Sequence, residues 1–407
     1  MPLHAPQTAP PAEPGEGHPR EPALDALRVA ALVGLIAYHV GMFYVPWDWH
    51  VKSPQSVPAL VPWMLLLAPW RLGLLFLVAG AALAPALHRR PPRPWLRRRL
   101  LRLGAPLLFG MAVVVPPQAY MEVRQQLQWA GSYTEFLRLY FQGHGGFCDT
   151  DGCLVLPTWN HLWFLPYLAL YTAMAALLHR GSAGRCWAWS GWARLGQGAH
   201  LVWWPALWLG AVRLLLLQRF PSTHDLLHDG FNHALYGSLF GLGLAVLGAP
   251  GSAAAPSAAP TAWATARRWR WPLTVGAVAL LLGLPLAAQA LPRWPDWAQP
   301  VWTLLGGARH WWPLLAALGW ASQALQGARA PAWGPRLRAW SAAILPAYLV
   351  HQTITVLAGP ALVGLGWPQP LEALALLAVT VAGCVLFVAV SARSGPGRMW
   401  CGWPPRR

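Results

Sequence analysis

Charge is what this 407-residue chain has least of: Asp, Glu, Lys and Arg make up 11% of it, well under half of the roughly 25% usual in soluble domains. That scarcity excludes an ordinary cytosolic enzyme. Acids are rarer still, 13 against 30 bases, which leaves a formal net charge of +17. The five cysteines form no CxxC pair and no zinc-type spacing with histidine, so neither a redox motif nor a structural metal is supported. No internal repeat is visible, which takes support from inverted-repeat transporter architectures. Residues 1–22, rich in Pro, Ala and Glu, lack the apolar region of a signal peptide and read as a disordered cytoplasmic tail.

Apolar residues fill the space that charge leaves. They are 56% of the chain, with 28 Trp and a mean hydropathy of +0.37, and they run in stretches of membrane-spanning length, about 20 residues each. The sequence predicts an all-α polytopic membrane protein with ten spans: Ala23–Val45, Val57–Leu87, Gly104–Glu122, Trp159–Leu178, Leu201–Leu217, Phe231–Gly248, Trp271–Leu291, Val301–Leu325, Ser341–Gly364 and Leu371–Ala392. The second is too long for one straight helix, and Pro62 and Pro69 predict a break in it. Within the membrane domain, 23–392, the stretch 248–265 reads as a flexible linker, since it is small, uncharged and unable to bury a core. Residues 393–407 form a basic tail.

Arginine decides the orientation. The segment His88–Leu103 cannot cross a bilayer when each Arg costs about 2.5–3.5 kcal/mol at a helix centre. It and the later clusters (Arg180, Arg185, Arg194; Arg267, Arg268, Arg270; Arg329, Arg336, Arg338) fall on alternate connections, whereas Asp48, Glu135, Asp149, Asp151, Asp225, Asp229 and Asp296 fall on the others. Both termini are therefore predicted in the cytoplasm. A pI near 10.9 does not imply nucleic acid here, because the bases sit in short clusters between apolar segments.

Polar groups at membrane depth are functional candidates by default: Asp25, Arg28, His39, Arg71, Asn160, His161, Arg213, His310 and His351. Asp25 and Arg28 share a helix face, and mutual pairing accounts for them as well as function does. His39 lies three turns beyond Arg28 on the same side, about 16 Å away. Arg71 must find a carboxylate, carbonyl or anion because it does not deprotonate. His161 stands at an outer interface, where anchors are commonplace, and His351, preceded by Tyr348, sits mid-span. His224, Asp225, His228, Asp229 and His233 crowd one outer loop without a ligand template such as HExxH and read as a solvated polar loop. Cys148 and Cys153 are placed either to bridge or to remain free thiols.

The opening Leu24–His39 (LDALRVAALVGLIAYH) resembles the first helix of the acyltransferase 3 family of integral membrane acyltransferases, where an Asp-x-x-Arg and a His recur. HVKS (His50–Ser53), WRLGLLFLVAG (Trp70–Gly80), WLRRRLLRLGAPLL (Trp95–Leu108), HLWFL (His161–Leu165) and AYLVHQ (Ala347–Gln352) are similar, in order, to the glucan-modifying branch of that family. Two departures stand out: Leu75-Phe76-x-x-Ala79-Gly80 replaces Phe-Phe-x-x-Ser-Gly, and His351-Gln352 replaces His-His. The resemblance implies an O-acyltransferase of a bacterial inner membrane. It would move an acyl group such as succinyl or acetyl from cytoplasmic acyl-CoA, a substrate and not a resident cofactor, to a glycan or other hydroxyl acceptor at the outer face. His39 would serve as base or acyl carrier, Arg28 as its cationic partner oriented by Asp25, and Arg71, Tyr348, His351 and His161 would line the acceptor side. Arg97, Arg98, Arg99 and Arg102 would attract the polyphosphorylated donor. A transporter or channel using the same charges, and a scaffold that has lost its chemistry, are the competing readings.

Overall fold

The computed structural model describes residues 22–88, 93–149, 152–182, 195–247, 261–290, 298–325 and 329–404. The chain forms α1 (Pro22–Tyr44), α2 (Val61–Leu67), α3 (Arg71–His88), α4 (Arg93–Phe109), α5 (Pro116–Gln126), α6 (Tyr133–Phe141), α7 (Phe164–Gly181), α8 (Gly198–Leu216), α9 (Gly230–Leu242), α10 (Ala262–Ala290), α11 (Ala298–Ala324), α12 (Arg329–Val363), α13 (Gln369–Ser391) and α14 (Gly395–Trp400). It is all-helical, and among the described residues the sole β-type pairing is an isolated bridge between Cys148 and Cys153.

Among the described residues, eight helical segments are long and apolar enough to cross a membrane, or nine if one bent pair counts as a span, beside the ten expected. Helix α11 is long enough at 27 residues, but Arg309, His310 and several amide and hydroxyl side chains dilute its apolarity, and it is not among the eight. The expected span Gly104–Glu122 is the bent pair. Helix α4 starts inside the Arg-rich segment, passes through a π turn at Gly110–Val114 and bends by 43° into α5. Pro116 and Pro117 supply the cause, since neither can donate a helical hydrogen bond. The break expected near Pro69 is present as the turn 68–70 between α2 and α3.

Three stretches fall partly outside the described residues. Of the tail 1–22 only Pro22, the first residue of α1, is described, and of the linker 248–265 the part 248–260 is not. Helix α10 begins at Ala262. In the basic tail, α14 is followed by a turn that is tied down where Arg102 Nε donates to the Gly402 carbonyl at 2.9 Å.

Helix α1 lies inside the bundle, packed by α3, α11, α12 and α13, so its polar residues face protein rather than lipid. Close crossings elsewhere depend on glycine: Gly80 of α3 meets the Phe240 backbone, and Gly243, opening a second π turn at Gly243–Leu247, meets the Leu77 backbone. Without hydrocarbon to expel, membrane helices gain from such close backbone approach. A Cβ at Gly243 would run into the Leu77 carbonyl. Gly243→Val is therefore expected to destabilise the bundle by about 1–3 kcal/mol, read as a lower thermal midpoint in detergent; an unchanged midpoint would show that the crossing tolerates a side chain.

Candidate active site

His39, on the inward face of α1, meets His351 of α12, 312 residues away in sequence: Nδ1 of His39 and Nε2 of His351 are 2.9 Å apart, and the rings are nearly parallel at 6°. Both are buried, His351 completely. The neighbouring carbonyls fix which nitrogen carries each proton, because a carbonyl oxygen only accepts. His351 Nδ1 lies 2.7 Å from the Tyr348 carbonyl, one turn back on its own helix, and must donate to it. Its Nε2 is then an acceptor, so His39 Nδ1–H donates to His351. His39 Nε2 is left with a lone pair and, among the described residues, no hydrogen-bond partner. That is the form a general base requires.

His161 completes a cluster of three imidazoles, its ring edge-on to that of His351 at 5.2 Å. Its Nε2 donates toward the carbonyls of Tyr348 and Leu349 at 3.2 and 3.1 Å, and the Tyr348 hydroxyl donates back to the His161 carbonyl. Two amides that the sequence did not single out as site residues sit behind it. Gln352 Nε2 donates to Gln118 Oε1 at 3.1 Å, and Gln118 Nε2 donates to Thr353 Oγ1 at 2.5 Å and points to His161 Nδ1 at 3.5 Å. Thr353 Oγ1 in turn donates to the Val114 carbonyl at 2.9 Å, at the π turn that loosens the usual helical pairing.

Arg71 begins α3 just after the break. Its guanidinium lies 3.4 Å above the Tyr38 ring centroid, donates from one terminal nitrogen to the Ala68 carbonyl at 2.6 Å, and is close enough for its charge to act on His39. The partner expected for it is thus an aromatic face and a carbonyl freed by the break, and its Nε is buried without a partner. The cation near His39 is Arg71 and not Arg28. Arg28, at the other end of α1, pairs with Asp25 at 3.0 Å, and Asp25 also accepts from Ser341 Oγ at 2.8 Å. Arg99 and Arg102 gather beside Arg28, near enough for the charges of both to act on Arg99. Arg97 and Arg98 are exposed on α4.

The end of the site beyond His39 is built from the loop after α1. Lys52, the one lysine of the chain, donates its ammonium to the Met42 carbonyl at 2.5 Å and to the Val45 carbonyl, where a cation offsets the negative end of the helix. Burial lowers its pKa, against the opposing pull of Asp48. Its backbone exchanges hydrogen bonds with the Gln125 amide of α5 at 2.7 and 2.9 Å. The loop thereby sets the Trp49 ring 6.1 Å from His39 and brings His50 Nδ1 to 2.6 Å from Glu122 Oε2. HVKS was legible as a motif, but its pairing with Glu122 depends on the bend into α5 at Pro116-Pro117, which the span reading passed over.

Other sequence candidates lie apart. Arg213 on α8 donates to His310 Nε2 of α11 at 3.2 Å. Asn160 accepts from Thr158 Oγ1 at the entry to α7. The loop read as solvated is so only in part: Asp225 and His228 are exposed and pair at 2.9 Å, but Asp229 is fully buried, accepting from Tyr167, Thr223, His224 and Asn232. Half-buried beside it, His224 has its pKa lowered by desolvation, against the raising charge of Asp229. Cys148 and Cys153 form a disulfide, which settles the question their spacing left open. Such bonds persist in oxidising compartments, in keeping with an outward-facing loop. Cys186 lies outside the described residues.

The profile of the acyltransferase 3 family, an acyltransferase domain, matches residues 21–389. The chain is also similar to glucans biosynthesis protein C of Escherichia coli (strain K12), 26% identical over 164 residues, and to the protein of the same name from Shigella dysenteriae serotype 1, 27% identical over 164 residues. Each alignment covers 40% of this chain and 39% of the relative, so the chain spans about two fifths of the length of the curated relatives it matches. No solved structure matches it. With that profile running from the first residues of α1 almost to the end of α13, this multi-pass integral membrane protein belongs to the acyltransferase 3 family of membrane acyltransferases.

Proposed function

We propose that the protein transfers an acyl group from cytoplasmic acyl-CoA to a hydroxyl of a glycan presented at the outer face of a bacterial inner membrane. The observation that carries the reading is the free Nε2 lone pair of His39, held there by the His351–Tyr348 chain in a site walled from lipid. The chemistry is a single displacement. The acceptor hydroxyl gives its proton to His39 Nε2 as its oxygen bonds to the thioester carbonyl carbon; the carbon–sulfur bond then breaks, and the CoA sulfur leaves with the proton from the imidazolium. While His39 is charged, its Nδ1–H bond to neutral His351 strengthens, as hydrogen bonds from ionised donors do. The Arg71 guanidinium supplies the positive field for the developing oxyanion.

The donor reading rests on the opposite end of α1. Arg28, Arg99 and Arg102 form a cationic group about 16 Å along the helix from His39. In coenzyme A a long pantetheine arm separates the phosphates from the thioester, so one molecule can bind phosphate at the arginines and place its thioester at the imidazole. The glycan acceptor draws support from the name of the relatives, and the outer location from the disulfide-closed loop on that side.

Four variants test these assignments in purified protein. His39→Ala is expected to lower kcat by about 10²–10⁴-fold, and retained activity would reject His39 as base. His351→Leu removes the acceptor for His39 Nδ1–H and should lower kcat by a factor on the order of 10³–10⁴, the range seen when a base loses its orienting partner. His351→Asn, whose amide oxygen can still accept, should retain more activity than His351→Leu; equal losses would make His351 a packing residue. Arg99→Gln should raise the KM for acyl-CoA by about tenfold, the loss of one charge-assisted hydrogen bond, without raising it for the acyl-pantetheine thioester. A parallel rise in both would remove the phosphate role.

A further inference from the structure

On the outer side of α5 a cavity of about 230 Å³ opens between that helix and the disulfide-closed turn. Its floor is apolar, made by Leu127, Phe147 and Leu154, and its rim carries Glu122, Gln126 and Asp149. The walls are held firmly. Leu154 N donates to the Phe147 carbonyl at 2.8 Å, Asp149 N to the Gly152 carbonyl at 2.8 Å, and Gly152 N to Asp149 Oδ1 at 3.1 Å, while Phe147 packs edge-on against Trp129 at 5.5 Å.

We infer that this cavity is a sugar-binding subsite for an oligomeric acceptor, an inference that rests on the acyltransferase reading above. Three features select the ligand class. An apolar floor under a rim of carboxylates and an amide suits a pyranose, whose C–H face is apolar and whose hydroxyls need acceptors and donors around the edge. Two rim carboxylates in a chain of net charge +17 repel the phosphates of the donor, which the arginines at the other end attract. The volume equals roughly eight water molecules at about 30 Å³ each, enough for one sugar ring and too small for several.

Position sets the length of the acceptor. Glu122 on the rim holds His50, the His50 ring lies 5.7 Å from that of Trp49, and Trp49 lies 6.1 Å from His39; Gln126 Nε2 also donates to the Trp49 carbonyl at 3.0 Å. The cavity is thus coupled to the reacting centre but stands two ring contacts away from it. A sugar seated here is not the one that receives the acyl group, so an acceptor that uses both places has to be a chain.

The test uses linear glucohexaoses of differing linkage beside free glucose. Wild-type protein should prefer one of the hexaoses over glucose in kcat/KM, and Asp149→Asn and Gln126→Ala should each reduce that preference by about five- to thirtyfold, the range for one or two polar contacts. An unchanged preference, or an equal rise in the acyl-CoA KM, would overturn the subsite. Direct titration of the hexaoses into His39→Ala protein separates this inference from the acyltransferase reading. Binding that is weakened by a second change, Asp149→Asn, would support the subsite even if no sugar is acylated; absence of binding to every hexaose would sink it while leaving the transfer chemistry to its own tests.

Discussion

The hydrogen bond between His39 and His351 is the constraint around which the interior is arranged. Two imidazoles buried among membrane helices must place their ring N–H donors on acceptors inside the protein, since no water is available in the bilayer core to take them. The Tyr348 carbonyl settles the first proton, and the order propagates outward from there: His351 accepts, His39 donates, and one lone pair remains. A carbonyl can only accept, so the sequence of donors has one direction. The same logic explains why α1 has to be interior. Its polar face finds partners on α12, and a helix turned toward lipid would leave those groups unpaired.

Around that pair the molecule separates its charges between the two ends of α1. Arg28, Arg99 and Arg102 stand together at the start of α1, and single carboxylates, Glu122 of α5 and Asp149 beside the disulfide, stand beyond its other end. Topology accounts for part of this, because positive loops are kept to one side of a membrane. The position of Arg28 asks for more than topology. It is pinned by Asp25, which Ser341 of α12 also holds, so the cation sits at a fixed height on the helix that carries His39. For the thioester donor proposed above, a fixed distance between a phosphate-sized charge site and a base is the requirement, and a loose cluster of surface arginines would not meet it.

How much of this was legible in the sequence depended on whether the cause was local. Hydropathy exposed most of the spans, and Pro69 marked the break that aims Arg71, because both are properties of short segments. The bend after the π turn at Gly110–Val114 was missed although Pro116-Pro117 mark it locally, because the apolar run was read as one straight span across them. Helix α11, expected as a span, matches the others in length and is less apolar than they are. In the site, His39, His351, His161, Tyr348 and Arg71 were all visible as misfits at membrane depth, and the fold brings them together. Their pairings were not visible, since hundreds of residues separate the partners. Helical periodicity placed Arg28 and His39 on a common side, which is correct as geometry, yet each found a different neighbour.

The two departures from the family pattern have structural counterparts that bear on whether chemistry survives. Where the pattern has a second late histidine, Gln352 is buried and bonded to Gln118, whose other amide end reaches Thr353 and faces His161. An amide can serve here because the position supports the cluster from behind and makes no contact with the free nitrogen of His39. Where the pattern has a serine, Ala79 lies next to Gly80, at the crossing of α3 with α9, in a segment whose Phe76 stacks among Phe164, Tyr171 and Tyr236. That segment works through packing, and small size is the property its crossing demands. Both changes therefore fall on groups that shape the chamber, and the donor–acceptor chain from Tyr348 to His39 is left whole.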